Sequence, residues 1–352
     1  MQLMQIRPNK ARLEKVRDKL QKTAIDRLLL LENPNVYYLT GVWPIGQTIL
    51  SIPKDGEVEI LGSKLDLFLA ESNEMKTFSG RNESEIIEEL LRMLRSSGDA
   101  YVEVDGVFPI SGRLEAGSKA LVRPGNRIVQ EMRAVKDEGE ISLLRRSAEL
   151  AKKGTEAALS RAKAGVTEKE VARSAHVEMM QGGGDDVAFP ISVGSGWRAS
   201  LPHALPTDKK IQEGELVVID LGADLDHYKS DVTRTVGIGA ISDNDRRVLD
   251  AVMKAYDETI KDVRAGGRAS DLASKADRVI ASAGFSEGIL HGLGHGVGLE
   301  IHEDPTVNTK NHEELRAGNV VTVEPGAYLR GITGARWENT VLVKTGGCDV
   351  LT

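Results

Sequence analysis

The strongest constraint on the fold is the stretch 216–235, LVVIDLGADLDHYKSDVTRT. Val217 to Leu221 is apolar and β-branched and reads as a strand; after a polar turn, Ser230 to Val236 reads as its partner. Asp220 lies inside the first run and Asp231 inside the second, eleven residues further on. A carboxylate in an apolar strand is costly unless it is paired or bound to a metal. Arg234 is the cation within the two strands. Two readings follow: a metal supplies the missing positive charge, or the pair is one strand-end and one turn aspartate, both solvated.

Composition narrows the function. The 352 residues suffice for two domains of ordinary size, and 40% hydrophobic with 28% charged residues describes a globular protein in water. A net charge of −7 and only 4% aromatic residues argue against a nucleic-acid partner. The longest aliphatic run, Leu28–Leu31, is far too short to span a bilayer. The N-terminal MQLMQIRPNKARLEKVRDKL reads as an amphipathic helix without the apolar core of a signal peptide. Cys348 is the single cysteine, so no internal disulfide can form, which fits a reducing compartment. The expectation is a cytoplasmic protein with no nucleic-acid and no membrane partner.

The first third reads as an α/β domain. Residues 9–23 suggest a helix with Leu13, Val16 and Leu20 on one face; Leu28–Leu31 a strand; Asn33-Pro34-Asn35 a turn. Thr48–Ile52 and Val58–Leu61 suggest a hairpin, Ser84–Arg95 a helix and Ala100–Val107 a strand. No constellation of catalytic side chains occurs there, so this domain, 1–125, reads as structural or substrate-capping. Pro124-Gly125-Asn126 and Lys136-Asp137-Glu138-Gly139 mark a linker over 126–139, followed by a second domain over 140–352. Helices are expected over 140–164, from an N-cap at Thr167 with Glu170 as its capping box to Gln181, and over 242–264 and 268–283.

No histidine precedes residue 176, which places the chemistry in the second domain. His176, within a helix, and His227 and His312 read as structural or surface residues. His203 sits between Pro202 and Pro206, seventeen residues before Asp220. HGLGHGVGLEIHEDP, residues 291–305, holds three histidines among glycines that permit crowding and unusual backbone angles. HxxxH on a helix suggests zinc, but the glycines argue against a regular helix and the glutamate of HExxH is absent. Asn319–Glu324 reads as a strand paired with Arg336–Val343, so Glu324 and Glu338 repeat the arrangement of Asp220 and Asp231. Two hairpins with two carboxylates each imply an approximate internal two-fold, with the site between two α/β halves. Four carboxylates balance two divalent cations. One imidazole and four carboxylates suit Mn²⁺, Co²⁺, Fe²⁺ or Zn²⁺. Two such ions can generate a nucleophile from water and polarise a carbonyl, which points to hydrolysis.

These motifs, in this order, resemble the pita-bread metallopeptidases: aminopeptidase P, Xaa-Pro dipeptidase (prolidase) and methionine aminopeptidase. DLGADLDHYKSDVTRT, PHALPTD, HGLGHGVGLEIHE, VTVEPG and RWENTVLV carry the resemblance over 190–343. NPNVYYLTG and MRAVKDEGEISLLRRSAE resemble the N-terminal domain and junction of the prolidase and aminopeptidase P branch. The resemblance implies an α/β (α+β) chain, a small N-terminal creatinase/prolidase-like domain before a catalytic pita-bread domain. It implies a dinuclear exopeptidase that hydrolyses the N-terminal Xaa-Pro bond of dipeptides or short peptides, and a homodimer. By position, Asp220 would bind one metal, Asp231 and Glu338 would bridge both, and His295 and Glu324 would complete the second site. Glu324 would also shuttle a proton. His203 and His302 would hydrogen-bond the substrate carbonyl or the tetrahedral intermediate, His291 would line the proline pocket, and Arg336 would stand near the site.

The chain departs from the family's pattern at three positions. Asn339 follows Glu338 where aspartate is usual, Trp337 replaces a small aliphatic residue, and Thr306 stands where some dipeptidases carry an arginine suited to a dipeptide's carboxylate. Two alternatives stand beside the peptidase reading: a non-catalytic binding module, disfavoured by the five intact ligand positions and kept open by Asn339, and a creatinase-like amidinohydrolase, disfavoured by the same ligand set.

Overall fold

The computed structural model describes residues 9–46, 48–67, 75–96, 101–105, 117–125 and 127–352. The first eight residues of the expected N-terminal helix and both ends of the strand expected over 100–107 lie outside them. The chain divides into two units, Met1–Met132 and Arg133–Thr352. Among the described residues no helix is long and apolar enough to cross a membrane.

In the first unit a six-stranded mixed sheet runs in the order Lys76–Gly80, Glu59–Ser63, Thr48–Pro53, Arg27–Leu30, Tyr101–Val104, Leu121–Pro124. The hairpin expected across residues 54–57 pairs antiparallel, Ile49 opposite Leu61. Leu13, Val16 and Leu20 are the buried face of the helix Lys10–Leu20, which Asn9 caps. The turn expected at Asn33–Asn35 is instead the first turn of a helix, Asn33–Thr40. Pro34 is at home there because the first helical N–H groups have no intrahelical partner to lose. Gly41, at φ 70°, closes that helix. Within the segment read as a linker, Arg127–Ala134 is helical and Asp137 caps the next helix.

The second unit is built from two similar layers. In one, the helices Glu138–Arg161 and Glu168–Gln181 cover the antiparallel strands Ser192–Ser195, Leu216–Leu221 and Val232–Gly237. In the other, Asp243–Thr259 and Ala269–Ser282 cover a sheet ordered Glu303–Val307, Gly294–Gly296, Val320–Val323, Asn339–Lys344, Gly347–Val350. Both helices of the first pair begin in capping boxes, Asp137 with Glu140 and Thr167 with Glu170. Each box satisfies two N–H groups that the helix itself leaves open. The expected strand 336–343 is two strands. Thr333–Arg336 pairs with Gly326–Leu329, and Asn339–Lys344 pairs with Val320–Val323. The break falls at Trp337-Glu338, where the chain passes from one pairing to the other.

The two layers meet along a seam. Glu338 N–H donates to the Thr233 carbonyl at 3.1 Å. Thr340 Oγ1 donates to the Asp231 carbonyl at 2.8 Å and Thr235 Oγ1 to the Arg336 carbonyl at 2.8 Å. Asp231 immediately precedes Val232, Glu338 immediately precedes Asn339, and Glu324 immediately follows Val323. These acids therefore sit where the ladders end and the seam begins.

Behind the histidine-bearing segment lies a buried ionic cluster. Glu303 accepts from Arg133 at 2.5 Å and from Lys136 at 2.7 Å, with Lys136 fully buried. Burial works to raise the Glu303 carboxyl, but Lys136 and Arg133 outweigh it and hold it below the ordinary value. A carboxyl lowered in the folded state contributes stability above the ordinary glutamate pKa, and that contribution is lost as pH falls through the folded value. Glu303→Ala removes the carboxylate from buried Lys136 and is expected to cost about 3–5 kcal/mol. Urea denaturation at pH 7 reads that loss. Glu303→Gln is expected to flatten the fall of stability with acidification, measured by repeating the titration below pH 5.

Candidate metal centre

A cavity of about 800 Å³ opens in the second unit. All nine residues singled out from the sequence line it: His203, Asp220, Asp231, His291, His295, His302, Glu324, Arg336 and Glu338. Their arrangement follows from the seam. Asp220 stands on the strand Leu216–Leu221, directly opposite Thr233, while Asp231 and Glu338 enter from the strand starts on either side.

Asp231, His295 and Glu338 each turn one ligand atom towards a common point, all within 4.8 Å of one another. His295 Nε2 is 3.7 Å from Asp231 Oδ2 and 3.2 Å from Glu324 Oε1. Its Nδ1 lies 3.1 Å from the Gly296 carbonyl, which can only accept. That contact holds a proton on Nδ1 and turns Nε2 towards the acids, where it donates to Glu324 while protonated and is the nitrogen left to a metal once that proton is lost. Asp220 and Glu324 stand outside the closest triad. Asp220 Oδ2 accepts from Arg336 Nη2 at 2.6 Å, and Glu324 Oε1 accepts from Thr322 Oγ1 at 3.1 Å.

The electrostatics show a site built around missing positive charge. Burial, then Glu338, Asp220 and Glu324, raises Asp231 well above the ordinary carboxylate range. Burial, then Glu324 and Asp220, pushes Glu338 up to about 8. Burial also raises Asp220, against the pull of Arg336. Glu324 goes the other way: burial opposes its ionisation, but the hydrogen bond with His295 and the neighbouring His291 and Arg336 hold it at about 2. Four buried carboxylates cannot all ionise beside one arginine. Asp220 Oδ1 and Glu338 Oε1 are buried with no hydrogen-bond partner, an arrangement that is costly unless a cation completes it. The donor set, the orientation of His295 Nε2 and the orphaned oxygens together fit divalent metal ions.

Three residues escaped the sequence reading. Thr233 Oγ1 donates to Glu338 Oε2 at 2.6 Å and accepts from Arg336 Nε at 3.0 Å. Thr322 Oγ1 accepts from His295 N–H at 3.0 Å. Each threonine lies two residues from an acid, Asp231 or Glu324, which on a strand means the same face; that spacing was the available signal. Tyr328 accepts from Arg336 Nη1 at 2.6 Å and lies 2.9 Å from His291 Nε2, and no spacing rule marks it. Burial holds the His302 imidazole below its usual pKa, with His295 adding to the effect. Their rings meet edge to face at 4.2 Å.

Gly294 explains one of the glycines. A Cβ there would stand 2.1 Å from the Thr322 carbonyl oxygen, so only glycine lets the His295 strand lie against its neighbour.

An acid-rich cavity bearing histidines, closed between two α/β layers, is the architecture of a metal-dependent hydrolase. Residues 142–345 match the profile of metallopeptidase family M24, and residues 12–135 match the creatinase/prolidase N-terminal domain. An Xaa-Pro dipeptidase of Pyrococcus horikoshii is 33% identical over 97% of this chain and 96% of its own. One from Pyrococcus furiosus is 32% identical over 97% and 98%. Among solved structures, the prolidase from Pyrococcus horikoshii superposes with a TM-score of 0.90 at 32% identity, covering 97% of this chain and 98% of that one. An X-Pro aminopeptidase from Thermotoga maritima superposes at 0.82 with 29% identity, over 95% and 97%. The chain belongs to metallopeptidase family M24 and carries that family's creatinase/prolidase type of N-terminal domain.

Gly294→Ala is expected to destabilise the protein by about 3 kcal/mol through overpacking. It is also expected to weaken divalent-ion binding by displacing His295. Thermal melting and calorimetric titration with Mn²⁺ check the two effects separately.

Proposed function

We propose that this protein is a dinuclear exopeptidase that hydrolyses the N-terminal Xaa-Pro bond of short peptides. The observation that carries the reading is the convergence of four carboxylates and His295 Nε2 in one cavity, in a chain that matches prolidases over almost its whole length. Asp220, Asp231, His295, Glu324 and Glu338 would hold two divalent ions, from among Mn²⁺, Co²⁺, Zn²⁺ and Fe²⁺. Bound there, the ions supply Lewis-acid polarisation of the scissile carbonyl and an activated water at neutral pH. Retention of every ligand position speaks against a non-catalytic module and against an amidinohydrolase.

The remaining chemistry falls to the chain's own groups. Glu324 takes a proton from the attacking water and returns it to the departing proline nitrogen. His203 and His302 donate to the carbonyl oxygen as charge develops on it. Arg336, tied to Asp220, Tyr328 and the Pro202 carbonyl, keeps Asp220 oriented and leaves little of its own charge for substrate. His291, held by Tyr328, would line the proline pocket. Phe189, Leu201, Leu205, Leu290 and Ile301 give the cavity apolar walls for the substrate's side chains. The scissile bond is a tertiary amide without an N–H, so a site that selects by a ring pocket suits it better than one that grips an N–H.

The length of the substrate follows from charge. Among the described residues Arg336 is the single arginine or lysine lining the cavity, and it is already engaged; Thr306 stands where an arginine would hold a dipeptide's carboxylate. This favours peptides longer than two residues, while the dipeptidase names of the relatives favour the shorter substrate. With Mn²⁺ or Co²⁺ added, the enzyme is expected to cleave Xaa-Pro peptides. A chelator should abolish the activity, and Glu324→Gln should lower kcat at least about 100-fold. Comparing an Xaa-Pro dipeptide with an Xaa-Pro tripeptide separates the two readings, and inertness on both with metal bound overturns the proposal. We also place the protein in the cytoplasm, on its single cysteine, and as a homodimer. Sedimentation equilibrium is expected to give twice the 38.2 kDa chain mass, and a lone 38.2 kDa species would contradict the dimer.

A further inference from the structure

Two of the positions at which this chain departs from the family pattern, Trp337 and Asn339, meet on one guanidinium. Arg234, on the strand Val232–Gly237, lies over the Trp337 ring at 4.7 Å from its centroid. Its Nη2 donates to Asn339 Oδ1 at 2.8 Å. Its Nη1 donates to the Thr233 carbonyl at 3.0 Å and to the Glu338 carbonyl at 2.5 Å. Asn339 is buried, and its Nδ2 donates to the Tyr256 hydroxyl at 2.6 Å. Among the described residues no carboxylate forms an ion pair with Arg234.

We propose that Arg234 is a positioning residue for Glu338, held by Trp337 and Asn339 in place of an ion pair, and that its unneutralised charge loosens the centre's grip on divalent ions. The inference rests on the reading of Glu338 as a metal ligand.

The geometry gives the positioning. Arg234 clamps the carbonyl of Glu338, Thr233 holds the same residue by its N–H and by Oε2, and the free Oε1 is left facing the cavity. A guanidinium can only donate, so the Asn339 amide must present its oxygen to Arg234 and its nitrogen to Tyr256. That orientation is available to aspartate as well: one oxygen would face Arg234, and the tyrosine hydroxyl would turn to donate to the other. Aspartate at 339 therefore fits without displacing a neighbour, and what changes is charge. With asparagine, the positive charge beside Glu338 has no paired carboxylate; the indole face, the carbonyl dipoles and, at longer range, Glu338 itself offset it. The face of an indole attracts a cation without adding a negative charge. Trp337 thus keeps the clamp in place without a carboxylate, and the surplus positive charge acts against cations bound by Glu338.

The test is calorimetric titration of chelator-stripped protein with Mn²⁺, with thermal melting of the stripped form alongside. N339D is expected to bind Mn²⁺ about tenfold more tightly than the unchanged protein. Trp337→Val alone is expected to bind about tenfold more weakly, and adding N339D to it should restore the affinity by rebuilding the clamp as an ion pair. A merely structural role for Asn339 would give weaker binding or none of these gains. N339D binding within about twofold of the unchanged protein, or more weakly, overturns the proposal, whether or not the Trp337 variant folds. Unaltered Mn²⁺ affinity in Glu338→Gln would instead overturn the reading of Glu338 as a ligand, and the proposal with it.

Discussion

Four carboxylates are driven into one cavity where, among the described residues, one engaged arginine is their permanent counter-charge, and much of the second unit is arranged to tolerate this. An isolated buried carboxylate shifts its pKa and neutralises. Here burial, reinforced by the neighbouring carboxylates, raises Asp231 and Glu338, while Glu324, backed by His295, stays ionised. The repulsion is what makes the centre receptive to cations. Its cost is borne by the seam, where hydrogen bonds from Thr233, Thr340 and Thr235 tie the two sheets together immediately beside the acids.

The supporting residues divide the labour. Thr233 and Thr322 hold individual carboxylate oxygens, and Gly294 brings the His295 strand close enough for Thr322 to reach its N–H. Arg336 joins Asp220 to Tyr328, and Tyr328 reaches on to His291. Because each group is held by another that is itself held, the ligand atoms are placed before any ion or peptide arrives. Such preorganisation is what makes a charged site effective in catalysis. Outside the cavity, the buried cluster of Arg133, Lys136 and Glu303 anchors the strand that follows His302.

Much of this was legible in the chain. The helices with clear periodicity and capping boxes formed where expected, because local hydrogen bonding and one apolar face suffice to specify them. The acid pairs stood out because a carboxylate in an apolar strand has few physical excuses. The readings that differed did so for local reasons. Asn33-Pro34-Asn35 opens a helix because proline is as suited to a first helical turn as to a loop. The run 336–343 broke into two strands at Trp337-Glu338, which a pattern of alternating side chains cannot show.

From sequence alone came the fold class, the four acids and the histidines, all properties of residue type and spacing along one strand or turn. The tertiary structure decided which atoms face one another: that Asp231, His295 and Glu338 form the closest triad while Asp220 is held by Arg336. It also decided that Tyr328 belongs to the site, and that Trp337 and Asn339 act on the same guanidinium. These contacts cross between strands that are distant in the chain. Spacing along a strand reports the face a side chain shares, whereas the partner across a seam is set by how two sheets pack.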